Sequence, residues 1–102
     1  MIRIKPGVMI HESSFLLPEV TRMVWVAQLV APLDYEVTIT SGCDGIHKHT
    51  SKHYLGLAFD IRTRDFPGDP RVWADRIWKT LGSLYFVGYE KEKVHIHMQY
   101  NG

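Results

Sequence analysis

The chain has 102 residues, enough for one domain, and its 45% hydrophobic and 23% charged residues are typical of a globular protein. A formal net charge of +1, from 12 Lys+Arg and 11 Asp+Glu, argues against a nucleic-acid-binding surface. The single cysteine, Cys43, excludes an internal disulfide, and no apolar run reaches the roughly 20 residues of a membrane-spanning helix.

The first half of the chain predicts a strand, a helix and a second strand. Ile2–Lys5 alternates apolar and polar residues, which indicates a short strand. Pro18 suits the first turn of a helix that should end near Ala31. Apolar residues recur at helical spacing there, at Val20, Met23, Val24, Ala27 and Val30. Tyr35–Thr40 is rich in β-branched residues and predicts a strand.

The next segments predict a loop, a strand and a helix. Ser41–Ser51 is polar and contains glycine, which favours a loop. Leu57–Arg62 alternates in the manner of a half-buried strand. Asp69 can cap a helix that begins at Pro70 and runs to about Leu81. The residues expected to face inward from this helix are Val72, Trp73, Ile77 and Leu81.

The last segments, Tyr85–Tyr89 and Val94–Tyr100, predict a hairpin. The resulting order, β-α-β-loop-β-α-β-β, predicts an α+β fold in which a small, mostly antiparallel sheet packs with two main helices. We expect residues 1–102 to form this single domain.

Four potential metal ligands lie on the central elements: His53, Asp60, His95 and His97. In the last strand, His95, His97 and Gln99 share one face, and Asp60 lies on the polar face of its own strand. If the strands are neighbours, a carboxylate and imidazoles converge, and both groups are ordinary Zn²⁺ ligands. Three protein ligands would leave a position for water, whereas four would close the site, as in structural zinc sites.

The segment 51–60, SKHYLGLAFD, followed by His95-Ile96-His97, resembles the S-x-H-x-x-G-x-A-x-D … H-x-H signature of zinc peptidases of bacterial cell walls. This group comprises D-alanyl-D-alanine peptidases, L-alanyl-D-glutamate phage endolysins and lysostaphin-like enzymes. The resemblance covers about Glu36 to Tyr100 and implies a Hedgehog/D-Ala-D-Ala peptidase-like fold with Zn²⁺ as cofactor. It implies hydrolysis of a peptide bond in peptidoglycan stem peptides, by an endolysin-like endopeptidase or a D-Ala-D-Ala carboxypeptidase.

The resemblance assigns three zinc ligands: His53, Asp60 and His97. Arg62 and Arg64 follow Asp60 and would meet either carboxylates of a wall peptide or acidic side chains of the protein itself. Ser51 and His47 complete the candidate substrate contacts, although a loop histidine such as His47 is also expected simply to be solvated.

The proton acceptor of the reaction is where this chain departs from the family. Many members carry Asp or Glu three residues before the last zinc histidine, but Val94 stands there in this chain. His95 matches a catalytic residue of lysostaphin-like members and is the first acid/base candidate. Glu92 is the second, because it stands three residues before His95, which fits only if His95 is itself a ligand.

A non-catalytic zinc-stabilised module, which binds the cell wall or has a structural role, is the alternative function, and Val94 favours it. The first residues lack the apolar run of a signal peptide, so we expect synthesis in the cytoplasm and action at the bacterial cell wall. The small size resembles phage endolysins, which implies release by a holin-like partner. We expect a monomer with peptidoglycan as substrate, no nucleic-acid partner and no membrane insertion.

Overall fold

The computed structural model describes residues 2–10, 17–42 and 57–102. The elements follow the predicted order: β1 (Ile2–Ile4), α1 (Pro18–Leu29), β2 (Val37–Ser41), β3 (Ala58–Arg62), α2 (Pro70–Leu81), β4 (Tyr85–Glu90), a short 3-10 helix (Lys91–Lys93) and β5 (His95–Tyr100). The α+β class and the two helices are therefore confirmed. No helix in the described ranges is long and apolar enough to cross a membrane.

The five strands form one sheet in the order β1-β2-β3-β5-β4. Only β1 and β2 run parallel, and the other three pairs are antiparallel, as the sequence predicts. Strand β5, the last in the chain, lies between β3 and β4. The middle of the chain and its C-terminal end therefore meet at the centre of the sheet.

Helix α1 begins with Pro18 in its first turn and ends at Leu29, two residues before the predicted end. The side chain of Arg22 joins this helix to α2, because its guanidinium donates to the backbone oxygens of Thr80 and Leu81, both at 3.1 Å. These carbonyls belong to the last turn of α2, where backbone acceptors lack partners within the helix. Arg22 therefore stabilises the end of one helix from the surface of the other.

Helix α2 has the predicted cap, since Asp69 Oδ1 accepts a hydrogen bond from the backbone N–H of Arg71 at 2.9 Å. Its buried residues are Trp73, Ala74, Ile77 and Leu81. The prediction that Val72 faces inward was wrong, since this side chain is 50% exposed. Each residue turns the helix by about 100°, which places Val72 almost opposite the centre of the buried face and Ala74 within it.

The core lies between the two helices and one face of the sheet. Its largest fully buried side chains are Trp73, Met23, Ile61, Ile77, Ile96, Met98, Val20 and Val37. Trp73 stacks on Phe66 with ring centroids 4.2 Å apart, and its indole Nε1 donates to the oxygen of Ala27 at 3.1 Å. Trp73 thus connects α2, α1 and the segment after β3.

The two tryptophans of α2 provide a matched test of this packing. Trp73 is 1% exposed and Trp78 is 45% exposed. We expect Trp73→Ala to lower the free energy of unfolding by about 3–5 kcal/mol, because it removes a buried ring and leaves a cavity. Trp78→Ala should cost about 1 kcal/mol or less. Urea unfolding followed by circular dichroism measures both, and equal losses would contradict the assigned core.

Candidate metal centre

The register of the three central strands collects polar side chains on the face of the sheet opposite the core. Asp60 of β3 pairs with His97 of β5, and His97 pairs on its other side with Gly88 of β4. Two pairs further along, His95 lies opposite Glu90. Because side chains alternate along a strand, all these residues point to the same face.

These side chains make short polar contacts. The Nδ1 atom of His97 lies 2.9 Å from Oδ1 of Asp60, and Nε2 of His95 lies 2.8 Å from Oε1 of Glu90. A longer contact of 3.8 Å joins His95 Nε2 to Asp60 Oδ2. The side chain of Asp60 is 9% exposed and that of Glu90 is 41% exposed. The cluster therefore has a buried end at Asp60 and an open end at Glu90.

The imidazole of His97 is oriented from its other side. Its Nε2 lies 3.1 Å from Oε1 of Gln99, and the amide of Gln99 donates to Oδ1 of Asn101 at 2.7 Å. The bond to Asn101 holds the Gln99 oxygen toward His97, so Nε2 of His97 is the donor. Nδ1 is therefore the nitrogen presented to Asp60 and to any cation at the cluster.

The charges around His97 favour a cation. Burial lowers the pKa of His97, but hydrogen bonds with Asp60 and Gln99, together with the negative charges of Asp60 and Glu90, outweigh burial and raise this pKa above its usual value. The hydrogen bond from His95 holds the pKa of Glu90 below its usual value despite partial burial, with help from the charges of His95 and Lys93. Glu90 is thus a carboxylate at neutral pH.

The geometry fits a divalent metal ion. Asp60, Glu90 and His97 each offer one ligand atom, and these atoms lie within 4.8 Å of one another. Zinc bonds of about 2.0–2.1 Å in a tetrahedron place neighbouring ligand atoms about 3.3 Å apart. The 2.9 Å between His97 Nδ1 and Asp60 Oδ1 is close to that spacing. One nitrogen and two oxygens suit Zn²⁺ and also other divalent ions.

The predicted site residues separate into three groups. Asp60, His95 and His97 come together. Glu92 is exposed on the 3-10 helix, and Glu90, at the end of β4, reaches the cluster instead. Val94 precedes β5 in a left-handed conformation with φ of 54°. Arg62 joins the first group, since it lies opposite His95 on β3, and the other three predicted residues lie outside the described part of the chain: His53, Ser51 and His47.

Glu90 is the residue that sequence reasoning missed. The sequence predicted a strand ending at Tyr89 and a turn over the next four residues, whereas β4 extends to Glu90 and pairs it with His95. The sequence does contain an indication of this role, because Glu90 is two residues from Gly88 and four from Phe86, and alternate residues of a strand share a face. Recognising it required knowing where β4 ends and how β4 pairs with β5.

Glycine at position 88 shapes the opening beside His97. A Cβ atom there would lie 2.8 Å from the ring of Phe86, so the absence of a side chain lets this ring lie over the strand. The Phe86 ring centre is 6.0 Å from that of His97. A cavity of about 410 Å³ results, lined by Asp60, Phe86, Gly88, Tyr89, Glu90, Lys93 and His97. The cluster is therefore accessible to a ligand.

Comparisons with protein-family models, with curated proteins and with solved structures found no match to this chain. The resemblance to cell-wall zinc peptidases remains a prediction from the residues of the signature.

Metal removal tests the centre. If Asp60 and His97 bind Zn²⁺ in the folded state, a strong chelator should lower the melting temperature, because a ligand bound only by the folded chain stabilises it. We expect the zinc-loaded wild type to lose several degrees on chelation and His97→Ala to show no response. Differential scanning calorimetry, with zinc removal verified by elemental analysis, measures this. An unchanged wild-type transition after complete removal would contradict it.

The orienting role of Gln99 gives a separate prediction. Gln99→Leu removes the acceptor for His97 Nε2 and should weaken zinc binding about 10–100-fold, because such partners fix the orientation of a metal-binding histidine. Glu92→Gln, an exposed change near the same hairpin, should leave the affinity unchanged. Competition with a chromophoric chelator measures both affinities. Equal affinities for the two variants would rule out the assigned role of Gln99.

Proposed function

We propose that this chain is a metal-dependent peptidase that hydrolyses a peptide bond in peptidoglycan stem peptides. The observation that carries the proposal is the juxtaposition of two candidate ligands, Asp60 and His97, whose Oδ1 and Nδ1 atoms lie 2.9 Å apart, with the carboxylate of Glu90 in the same open cavity. Carboxylate and imidazole ligands in an accessible cleft are what metal-assisted hydrolysis requires. The choice of a wall peptide as substrate comes from the resemblance of the signature alone.

The ligands in this proposal are Asp60, His97 and His53, the last of which comes from the signature and lies outside the described residues. Bound Zn²⁺ supplies a Lewis acid for the substrate carbonyl and lowers the pKa of a water molecule. Asp60 is held in place by its strand pairing and its low exposure. His97 is held by Gln99, so both described ligands are fixed before substrate arrives.

We assign Glu90 as the proton acceptor. It provides the carboxylate that Val94 does not, from the adjacent strand, and it lines the same cavity as Asp60 and His97. Its Oε1 atom accepts a hydrogen bond from His95 Nε2 at 2.8 Å. A base within reach of the attacking water takes its proton, and His95 can carry a proton onward to the departing amine. In this assignment His95 positions Glu90 and does not bind metal.

The non-catalytic zinc module remains the second candidate function. The observation that favours it is that Glu90 belongs to the group whose ligand atoms lie within 4.8 Å. If Glu90 bound the metal together with Asp60, His97 and His53, four protein ligands would close the site, as in structural zinc sites. The role of Glu90 therefore separates the two functions.

Mass spectrometry of purified peptidoglycan fragments tests the proposed reaction directly. Incubation with the zinc-loaded protein should yield a new fragment whose mass identifies the bond, and therefore distinguishes an endopeptidase from a carboxypeptidase. His97→Ala should give no product. Intact fragments from several wall chemotypes, with zinc verified on the protein, would contradict the peptidase and favour the non-catalytic module.

Two glutamates two residues apart test the assignment of the base. Glu90→Gln should lower kcat at least about 100-fold while zinc binding is retained, because the proton acceptor is lost. Glu92→Gln should behave like the wild type. Loss of zinc from Glu90→Gln would make Glu90 a ligand. Loss of activity in Glu92→Gln alone would return the role to the residue that the sequence suggested.

A further inference from the structure

A second cavity of about 430 Å³ adjoins the metal centre. It is lined by Lys5, Thr40, Ser41, Asp60, Arg62, Arg64, Lys93, Val94 and His95. It shares Asp60 and Lys93 with the cavity that contains His97 and Glu90. A ligand that extends from one cavity into the other therefore passes Asp60.

The lining of this second cavity is strongly basic. Four of the chain's 12 Lys+Arg side chains contribute to it, although the whole chain carries a net charge of only +1. The carboxylate in the lining is that of Asp60, which contacts His97 and is 9% exposed. The cavity therefore offers a local excess of positive charge to an anion.

Most of these cations have no acidic partner within the part of the chain that the structure describes. Lys5, Arg62 and Arg64 form no ion pair there, and Lys93 lies 3.6 Å from Glu90. Elsewhere on the surface Arg3 pairs with Glu36 at 2.6 Å. The sequence left open whether Arg62 and Arg64 contact acidic side chains of the protein itself. No acidic side chain among the described residues forms an ion pair with either arginine.

The sheet fixes where these cations stand. Arg62 is half-buried on β3 and lies opposite His95, on the face that carries Asp60. The backbone N–H of Lys5 donates to the oxygen of Ile39 at 2.9 Å, which holds Lys5 beside β2. The N–H of Thr63, next to Arg62 and Arg64, donates to the oxygen of Val94 at 3.1 Å. The backbone around the cavity is therefore held by the sheet and its connections.

We propose that this cavity is an anion subsite that binds a carboxylate of the substrate peptide while the bond to be cleaved lies against Asp60 and His97. Guanidinium groups bind carboxylates through paired, charge-assisted hydrogen bonds, and Arg62 and Arg64 offer two such groups next to the metal centre. The inference rests on the proposed peptidase function. The carboxylate belongs either to the C-terminus of the peptide or to an acidic side chain within it.

Matched peptides test the subsite on the zinc-loaded protein. The probes are a stem pentapeptide, L-Ala-γ-D-Glu-L-Lys-D-Ala-D-Ala, its C-terminal amide, and its D-isoglutamine form. For a peptide that mass spectrometry finds intact, calorimetric titration measures the affinity. For a peptide that is cleaved, KM is compared instead. We expect one amidation to weaken binding about tenfold or more, since a hydrogen-bonded charge is lost. The sensitive position identifies which carboxylate is bound.

Variants assign the effect to the cavity. Arg62→Gln and Arg64→Gln should each reduce the preference for the acid over the amide, and Arg76→Gln, an exposed change on α2, should preserve it. Melting temperatures verify that each variant is folded. Equal binding of acid and amides by the wild type, or an undiminished preference in both cavity variants, would overturn the subsite. If no peptide is cleaved but the preference for the acid over the amide still depends on Arg62, the result would overturn the peptidase function and support the anion subsite.

Discussion

The pairing of β3 with β5 is the constraint on which the rest of the structure depends. Ile61 faces Ile96 in this pairing, and both side chains are fully buried in the core. The next pair along, Asp60 and His97, points to the opposite face. If β5 slipped by one residue, Ile96 would be exposed and His97 would turn into the core, so the hydrophobic core fixes the register of the candidate metal centre. The stability of the fold and the geometry of the site thus have one origin.

The two cavities on this face differ in charge, since Asp60 and Glu90 both line one of them and Lys5, Arg62 and Arg64 line the other. Asp60 and Glu90 surround His97 and raise its pKa against the effect of burial, which is the electrostatic environment that a metal cation requires. Arg62 and Arg64 line the basic cavity, which shares Asp60 with the first. This arrangement suits a substrate that has a carbonyl group to lie against the metal ligands and a carboxylate to lie against the arginines. The proposed reaction and the proposed choice of substrate are therefore linked.

The sequence predicted what depends on local pattern. Alternation placed Asp60 and His97 on polar faces, and the cap at Asp69 located the start of α2. It could not predict what depends on how a hairpin closes. The 3-10 turn at Lys91–Lys93 and the left-handed Val94 let β4 extend to Glu90. That extra residue of strand exchanges Glu92 for Glu90 at the cluster, a difference set by turn geometry and not by spacing along the chain.

Anomalous diffraction at the zinc absorption edge, from crystals of the zinc-loaded protein, would locate the ion. We expect one strong peak per chain within bonding distance of Asp60 and His97, with Glu90 facing the ion but beyond bonding distance. A peak coordinated by Glu90 as a further ligand would contradict the assignment of the base. No peak at this face of the sheet would contradict the metal centre itself.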